Sequence, residues 1–104
     1  MAEEQSLAFF QKLEKKVGIV KIDEDISLEL TLDKVFPKDR QPEGWECFTL
    51  TFTSPAEHGM LKQSIHTLVF ENDQEVPIFL VPIEADNTVV EYEAVFNRKL
   101  QPVS

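Results

Sequence analysis

The residues of this 104-residue chain that could do chemistry are few, and each stands apart from the partners that such chemistry needs. His58 lies beside a carboxylate in Ala56-Glu57-His58-Gly59. A metal or acid–base role would need two or three further ligands nearby, and no H-x-H, H-x-x-x-H or C-x-x-C spacing occurs. His58 therefore reads as a surface histidine. His66 shares the parity of Leu68 and Phe70 in a strand-like segment, and reads as half-buried and satisfied by one hydrogen bond. Cys47 has neither a basic neighbour nor a glycine-rich turn to lower its thiol pKa, so it reads as a packing residue, not a nucleophile. Asp23-Glu24-Asp25 clusters oxygens as a hard cation would want, but the run lacks the loop length and distal bidentate glutamate of an EF-hand and reads as a solvated turn. Glu91 and Glu93 share a strand face about 7 Å apart, a spacing that could serve glycoside hydrolysis only within a cleft. No nucleophile elbow, dinucleotide fingerprint or phosphate loop occurs, and three glycines leave little to build one. The expectation is a non-enzyme with no catalytic residue, no cofactor and no metal.

Composition narrows the partners. A formal charge of -9, from 19 acidic and 10 basic residues, disfavours a phosphate backbone, which needs clustered Lys and Arg. The one basic cluster, Lys12-Leu13-Glu14-Lys15-Lys16, contains a carboxylate and reads as the solvated face of a helix. The longest apolar run, Val76 to Ile83, is far short of a bilayer span and holds two prolines. The N-terminus shows no charged segment followed by an apolar one, and a single cysteine permits no internal disulfide. These features lead to the expectation of a soluble cytoplasmic protein, with neither nucleic acid nor membrane as partner.

Whatever the function, a β-rich framework must position it. Ser6 is placed to cap a short helix with Leu7, Phe10 and Leu13 on one face and Phe9 beside them, and Gly18 reads as its stop. After Gly18 the pattern has period two. Ile26, Leu28, Leu30 and Leu32 alternate with polar residues, as do Phe48, Leu50 and Phe52 with a threonine row, Thr49, Thr51 and Thr53. That row could form a flat surface for another strand or sheet, but more often such a row is simply good outward β composition. Ile19–Ile22, Ser64–Phe70 and Val89–Phe96 complete the set, with Tyr92, Ala94 and Phe96 inward. Val76–Ile83 is apolar on both faces and reads as a strand covered on both sides; Pro77 and Pro82 should lie at an edge, an end or a bulge. The expected architecture is one domain: helix over 1–17, β meander over 18–97, polar tail over 98–104. About six antiparallel strands would close as a small barrel or compact sandwich.

At this point a resemblance enters. Phe48-x-Leu50-x-Phe52-x-Ser54-Pro55, Leu61-x-Gln63, Phe79-Leu80-Val81-Pro82-Ile83 and Tyr92-Glu93-Ala94-Val95-Phe96-Asn97 resemble a family of uncharacterised small bacterial β-rich domains. Leu7-x-x-Phe10 and Gly18 fit its start, and the F-L-V-P and Y-E-A-V-F-N motifs are the specific part. The resemblance implies a small β-rich domain with no activity to transfer. A tyrosine commonly occupies the place of His66 there, which weighs against a catalytic role for it. Some members sit among phage-tail-like or surface-fibre genes, which implies an assembly or adaptor role.

Three functions are then ranked. The first is a non-enzymatic protein-interaction or assembly module, binding itself or a larger assembly, with Phe9, Trp45 and Met60 as candidate contacts and the loops 37–44 and 55–62 as candidate surfaces. The second is a small-molecule or lipid-binding barrel lined by the eight phenylalanines. The third is an enzyme using His58 or His66 with Glu57, Glu91 or Glu93.

Overall fold

The computed structural model describes residues 7–22, 26–38, 43–70 and 74–99. A short helix, α1 (Leu7–Lys12), is followed by β1 (Val17–Lys21), β2 (Ser27–Pro37), β3 (Trp45–Pro55), a single 3-10 turn over Ala56–His58, then β4 (Ser64–Phe70), β5 (Gln74–Ala85) and β6 (Val89–Lys99). All strand pairs are antiparallel and close into a barrel in the order β1-β2-β3-β6-β5-β4. Closure as a barrel decides between the two forms that the strand pattern allowed.

The alternation seen in the sequence becomes an inside and an outside. Leu28, Leu30 and Leu32 of β2 are buried with Phe48, Leu50 and Phe52 of β3. Leu68 and Phe70 of β4, Val76, Ile78 and Leu80 of β5, and Val90, Tyr92 and Ala94 of β6 complete the interior. Each large side chain removed from water in this way contributes about 1.5–3 kcal/mol before entropy is counted.

The chain is not a single meander. β3 and β4 are consecutive but not neighbours: β3 pairs with β6 along its whole length, from Trp45↔Lys99 to Pro55↔Val89. Two three-stranded meanders are thus joined through β3 and β6. The barrel closes with a much shorter contact, Ile19↔Val69 and Val20↔Leu68. The β3–β4 connection is tied to β6, where the Ala56 N–H donates to the Thr88 carbonyl at 2.9 Å. The Leu61 N–H donates to the Tyr92 hydroxyl at 2.9 Å, so the buried phenol has the partner that its burial requires.

The helix seals the region where β2 ends and β3 begins. Phe10 lies 5.9 Å from Phe48 and 5.1 Å from Phe96, which themselves stack at 5.0 Å. The Leu7 N–H donates to Glu46 Oε1 at 3.1 Å, and Glu14 Oε2 accepts the Val35 N–H at 3.2 Å. Six residues could not hold a helix in water, so this docking is what sustains it.

Several expectations are corrected. Gly18 does not stop the helix; the turn after α1 leaves through Lys15, whose φ of 73° lies in the left-handed region. Gly18 is a buried β1 residue, where a Cβ would stand 3.0 Å from Leu68 Cδ2 and 3.0 Å from Phe70 Cζ. A side chain there would displace core atoms. β6 runs on to Lys99, so the expected tail begins later and Asn97 is a ladder residue opposite Cys47, not a turn cap. The Ser6 cap, the Asp23–Asp25 turn, the Asn72-Asp73 turn and residues 100–104 lie outside the described residues.

Two register shifts matter for the surface. Pairing of β2 with β3 steps from Leu32↔Phe52 to Lys34↔Thr51, so Asp33 is an extra residue. Beyond it the parity of β2 reverses: Val35 turns to the core and Phe36 to solvent. In β5 the step falls between Pro82 and Glu84, which places Pro82 at a bulge as its missing N–H demands. Paired register between β5 and β6 covers Val81–Ala85, so Pro77 lies in the stretch of β5 that pairs with β4 alone. Among the described residues, no helix is long and apolar enough to cross a membrane.

Tyr92→Phe keeps the ring and deletes the acceptor, leaving a buried Leu61 N–H unpaired. The expected loss is about 1–3 kcal/mol in urea unfolding with an unchanged m value. A variant as stable as the parent would show that the Tyr92–Leu61 bond does not hold the β3–β4 connection.

Candidate functional site

Among the described residues, the histidines and the cysteine singled out for chemistry do not converge with one another, whereas Glu91 and Glu93 share a face of β6. His66 lies on β4, half-buried, with Nε2 2.8 Å from the Lys62 carbonyl oxygen. A carbonyl only accepts, so Nε2 carries the proton and the ring is held locally. His58 lies in the 3-10 turn with Glu57, and Asp23-Glu24-Asp25 falls outside the described residues. Cys47 has the outward parity of Trp45 and Thr49 and is nonetheless buried, opposite Asn97 in the β3–β6 ladder. No group of three or more His, Cys, Asp or Glu placed to hold a metal occurs among the described residues. The threonine row is not an open platform: Thr51 is buried between its cross-strand neighbours Lys34 and Glu93, and Thr49 and Thr53 are half-buried.

The three expected contact residues separate as well. Phe9 is 9% exposed and packs edge-on against Phe10 with ring centroids 5.0 Å apart, so it belongs to the core and is withdrawn as a contact. Its burial follows from the way α1 folds onto the barrel, which brings two successive phenylalanines inward. Trp45 and Met60 are 40% and 61% exposed but do not share a patch. Trp45 begins β3, whereas Met60 adjoins Leu61, which meets Tyr92 of β6, the partner of Phe52 well along β3. Of the eight phenylalanines, six lie in or against the core and two, Phe36 and Phe79, face solvent, so they fill the interior more than they line one.

What the fold does assemble is an apolar row on the outside of the barrel. Phe36 pairs with Thr49, and Thr49 pairs with Val95. Phe79 pairs with Ile65, and two residues beyond the last β5–β6 pair, Val81↔Glu93, Phe79 comes level with Val95. The row crosses β2, β3, β6, β5 and β4 in turn. Its apolar members are exposed: Phe36 47%, Val95 61%, Phe79 48% and Ile65 66%. The Lys34 ammonium lies 6.0 Å from the Phe36 ring centroid. An open groove runs along part of the row, lined by Phe36, Lys38, Cys47, Thr49, Val95 and Asn97.

The Val76–Ile83 strand is therefore not covered on both sides. Val76, Ile78 and Leu80 face the core while Phe79 and Ile83 face solvent. Local sequence could not reveal this, because a doubly apolar strand reads the same whether its second face meets another element or water. Phe36 was hidden by the Asp33 bulge, since unbroken alternation from Leu28 would have turned it inward.

Beside this row the same sheet carries carboxylates. Glu84 and Glu91 are direct cross-strand partners, and Glu93 lies two residues along β6 on the same face. Like charges placed opposite each other are unfavourable within a sheet.

The fold defines the class: a small, closed, six-stranded antiparallel barrel with a helix sealing one region. The chain belongs to the family described as Domain of unknown function (DUF6916), whose model matches residues 6–96. No curated protein and no solved structure matches it.

The β5–β6 turn supplies a pH-dependent contribution. Asp86 Oδ1 accepts the N–H groups of Thr88 at 2.7 Å and Val89 at 2.9 Å, and these bonds hold its carboxyl below the ordinary value. A folded pKa below the unfolded one adds stability above the unfolded value, about pH 3.9, and loses it as pH falls through the folded value. Asp86→Ala should therefore be less stable than the parent at pH 7, with the gap narrowing below about pH 4; chemical denaturation across pH measures it, and a constant gap would refute the assignment.

Proposed function

We propose that this domain is a non-enzymatic protein-interaction module, a subunit or adaptor that works by contact with another protein. The observation that carries the reading is the set of exposed apolar residues Phe36, Val95, Phe79 and Ile65, which the barrel presents around its outside at one level, with Val95, Phe79 and Ile65 on the three neighbouring strands β6, β5 and β4. Scattered exposed apolar residues are ordinary on a soluble domain, but a contiguous row is the usual mark of a contact surface. The dispersal of the chemistry-bearing residues supports the same reading: His66 is bound to a backbone carbonyl and Cys47 is buried. A phage-tail-like or surface-fibre assembly is the setting that the sequence resemblance suggests for such a module.

The test is retention. The domain coupled to resin, challenged with extract of its source organism, should hold a defined set of proteins that free domain displaces. Resin bearing an unrelated protein of similar size and charge should not hold them. If nothing is retained above that control and light scattering shows a monomer at all concentrations, the reading fails.

A further inference from the structure

We propose that the outer face of β4, β5 and β6 docks a protein segment in which apolar side chains stand next to lysine or arginine. This rests on the interaction-module reading above and specifies its surface and the chemistry of the partner. The face has two adjoining halves. One is apolar, with Val95, Phe79 and Ile65 in a row. The other is acidic, with Glu91 and Glu93 following Val95 back along β6 at the two-residue repeat of one face, and Glu84 directly opposite Glu91. The salt bridge found among the described residues, Lys15–Asp33, involves none of these three carboxylates.

Charge selects the occupant. Like charges set opposite one another are held against their own repulsion, and a cation arriving at Glu84, Glu91 and Glu93 relieves it. The apolar half, Val95, Phe79 and Ile65, runs across neighbouring strands about 5 Å apart, while Val95, Glu93 and Glu91 follow one another along β6 at about 7 Å, the repeat that an extended partner segment also presents. A second copy of the chain fits poorly. Each copy carries -9, and a two-fold contact centred on Val95 would bring Glu93 of both copies together. The row also offers apolar surface on the order of 300–400 Å², against about 800 Å² per partner for a standard stable interface. An anionic lipid surface is repelled by the same carboxylates.

Two synthetic octapeptides test this against the isotopically labelled full chain by NMR: a Leu-Lys peptide, Leu-Ser-Lys-Ser twice over, and a Leu-Glu peptide, Leu-Ser-Glu-Ser twice over, both end-capped, in which leucine and charge share one face of an extended segment. The Leu-Lys peptide should shift the amides of Ile65, Phe79, Glu91, Glu93 and Val95 saturably and weaken at least severalfold on raising salt, whereas the Leu-Glu peptide should not. E91Q/E93Q should lower the affinity about fivefold, and Phe79→Ser with Val95→Ser should abolish saturation while the unfolding midpoint holds. Equal response to both peptides, shifts elsewhere on the barrel, or a concentration-dependent dimer broken by Val95→Ser would overturn the proposal. The F79S/V95S variant separates the two levels. If it still retains the proteins that the parent resin retains, this docking face is wrong and the interaction reading stands; if the parent retains none, that reading itself has failed.

Discussion

The β3–β6 ladder is the contact on which the rest of this barrel depends. Eleven residues of β3 pair with eleven of β6, and no other strand pair is as long. It links two halves that would otherwise be separate three-stranded sheets, each with an apolar face exposed. The opposite seam, between β1 and β4, holds only Ile19↔Val69 and Val20↔Leu68. The asymmetry is physical: a long central ladder commits the inward faces of both halves to one core, and the short seam then completes a closure already favoured by burial. β3 and β6 first meet at Pro55↔Val89, and β1 and β4 at Val20↔Leu68, so these two pairings between strands not consecutive in the chain close the long loops of the fold and carry most of its loop-closure cost.

The two tethers near that ladder make sense in this light. Tyr92 sits in β6 opposite Phe52 and reaches the Leu61 N–H, so the connection leaving β3 is pinned to the strand that β3 pairs with. Toward the other end, Phe48 and Phe96 are ladder partners that stack, and Phe10 of α1 covers both. A cross-strand aromatic pair becomes the seat for the helix. Sequence motifs on β3 and β6 are thus fold determinants first, since their inward members build the joint between the halves.

The proposed contact surface is formed by outward members of β4, β5 and β6. Val95 alternates with Ala94 and Phe96, and Phe79 with Ile78 and Leu80, so the surface row is fixed in place by the core residues beside it. A rigid barrel that presents an apolar row next to Glu84, Glu91 and Glu93 holds that surface in a single arrangement before any partner arrives, which lowers the ordering cost of a contact. The eight phenylalanines divide accordingly between filling the interior and forming part of this surface.

Much of this was legible in the chain itself. Alternation marked β2, β3 and β6, and it assigned Leu28, Leu30 and Leu32, Phe48, Leu50 and Phe52, and Tyr92, Ala94 and Phe96 to the inside, because period-two patterning is written within each strand. Tertiary structure alone decided that β6 returns to β3, since partner choice depends on competing registers over the whole chain and leaves no local mark. It alone decided that Asp33 is a bulge, which sends Phe36 outward, that Gly18 serves close packing instead of ending a helix, and that Phe9 is core. And it alone showed that the second apolar face of Val76–Ile83 meets water, because hydrophobicity records what a residue prefers and only the assembled barrel determines which faces are covered.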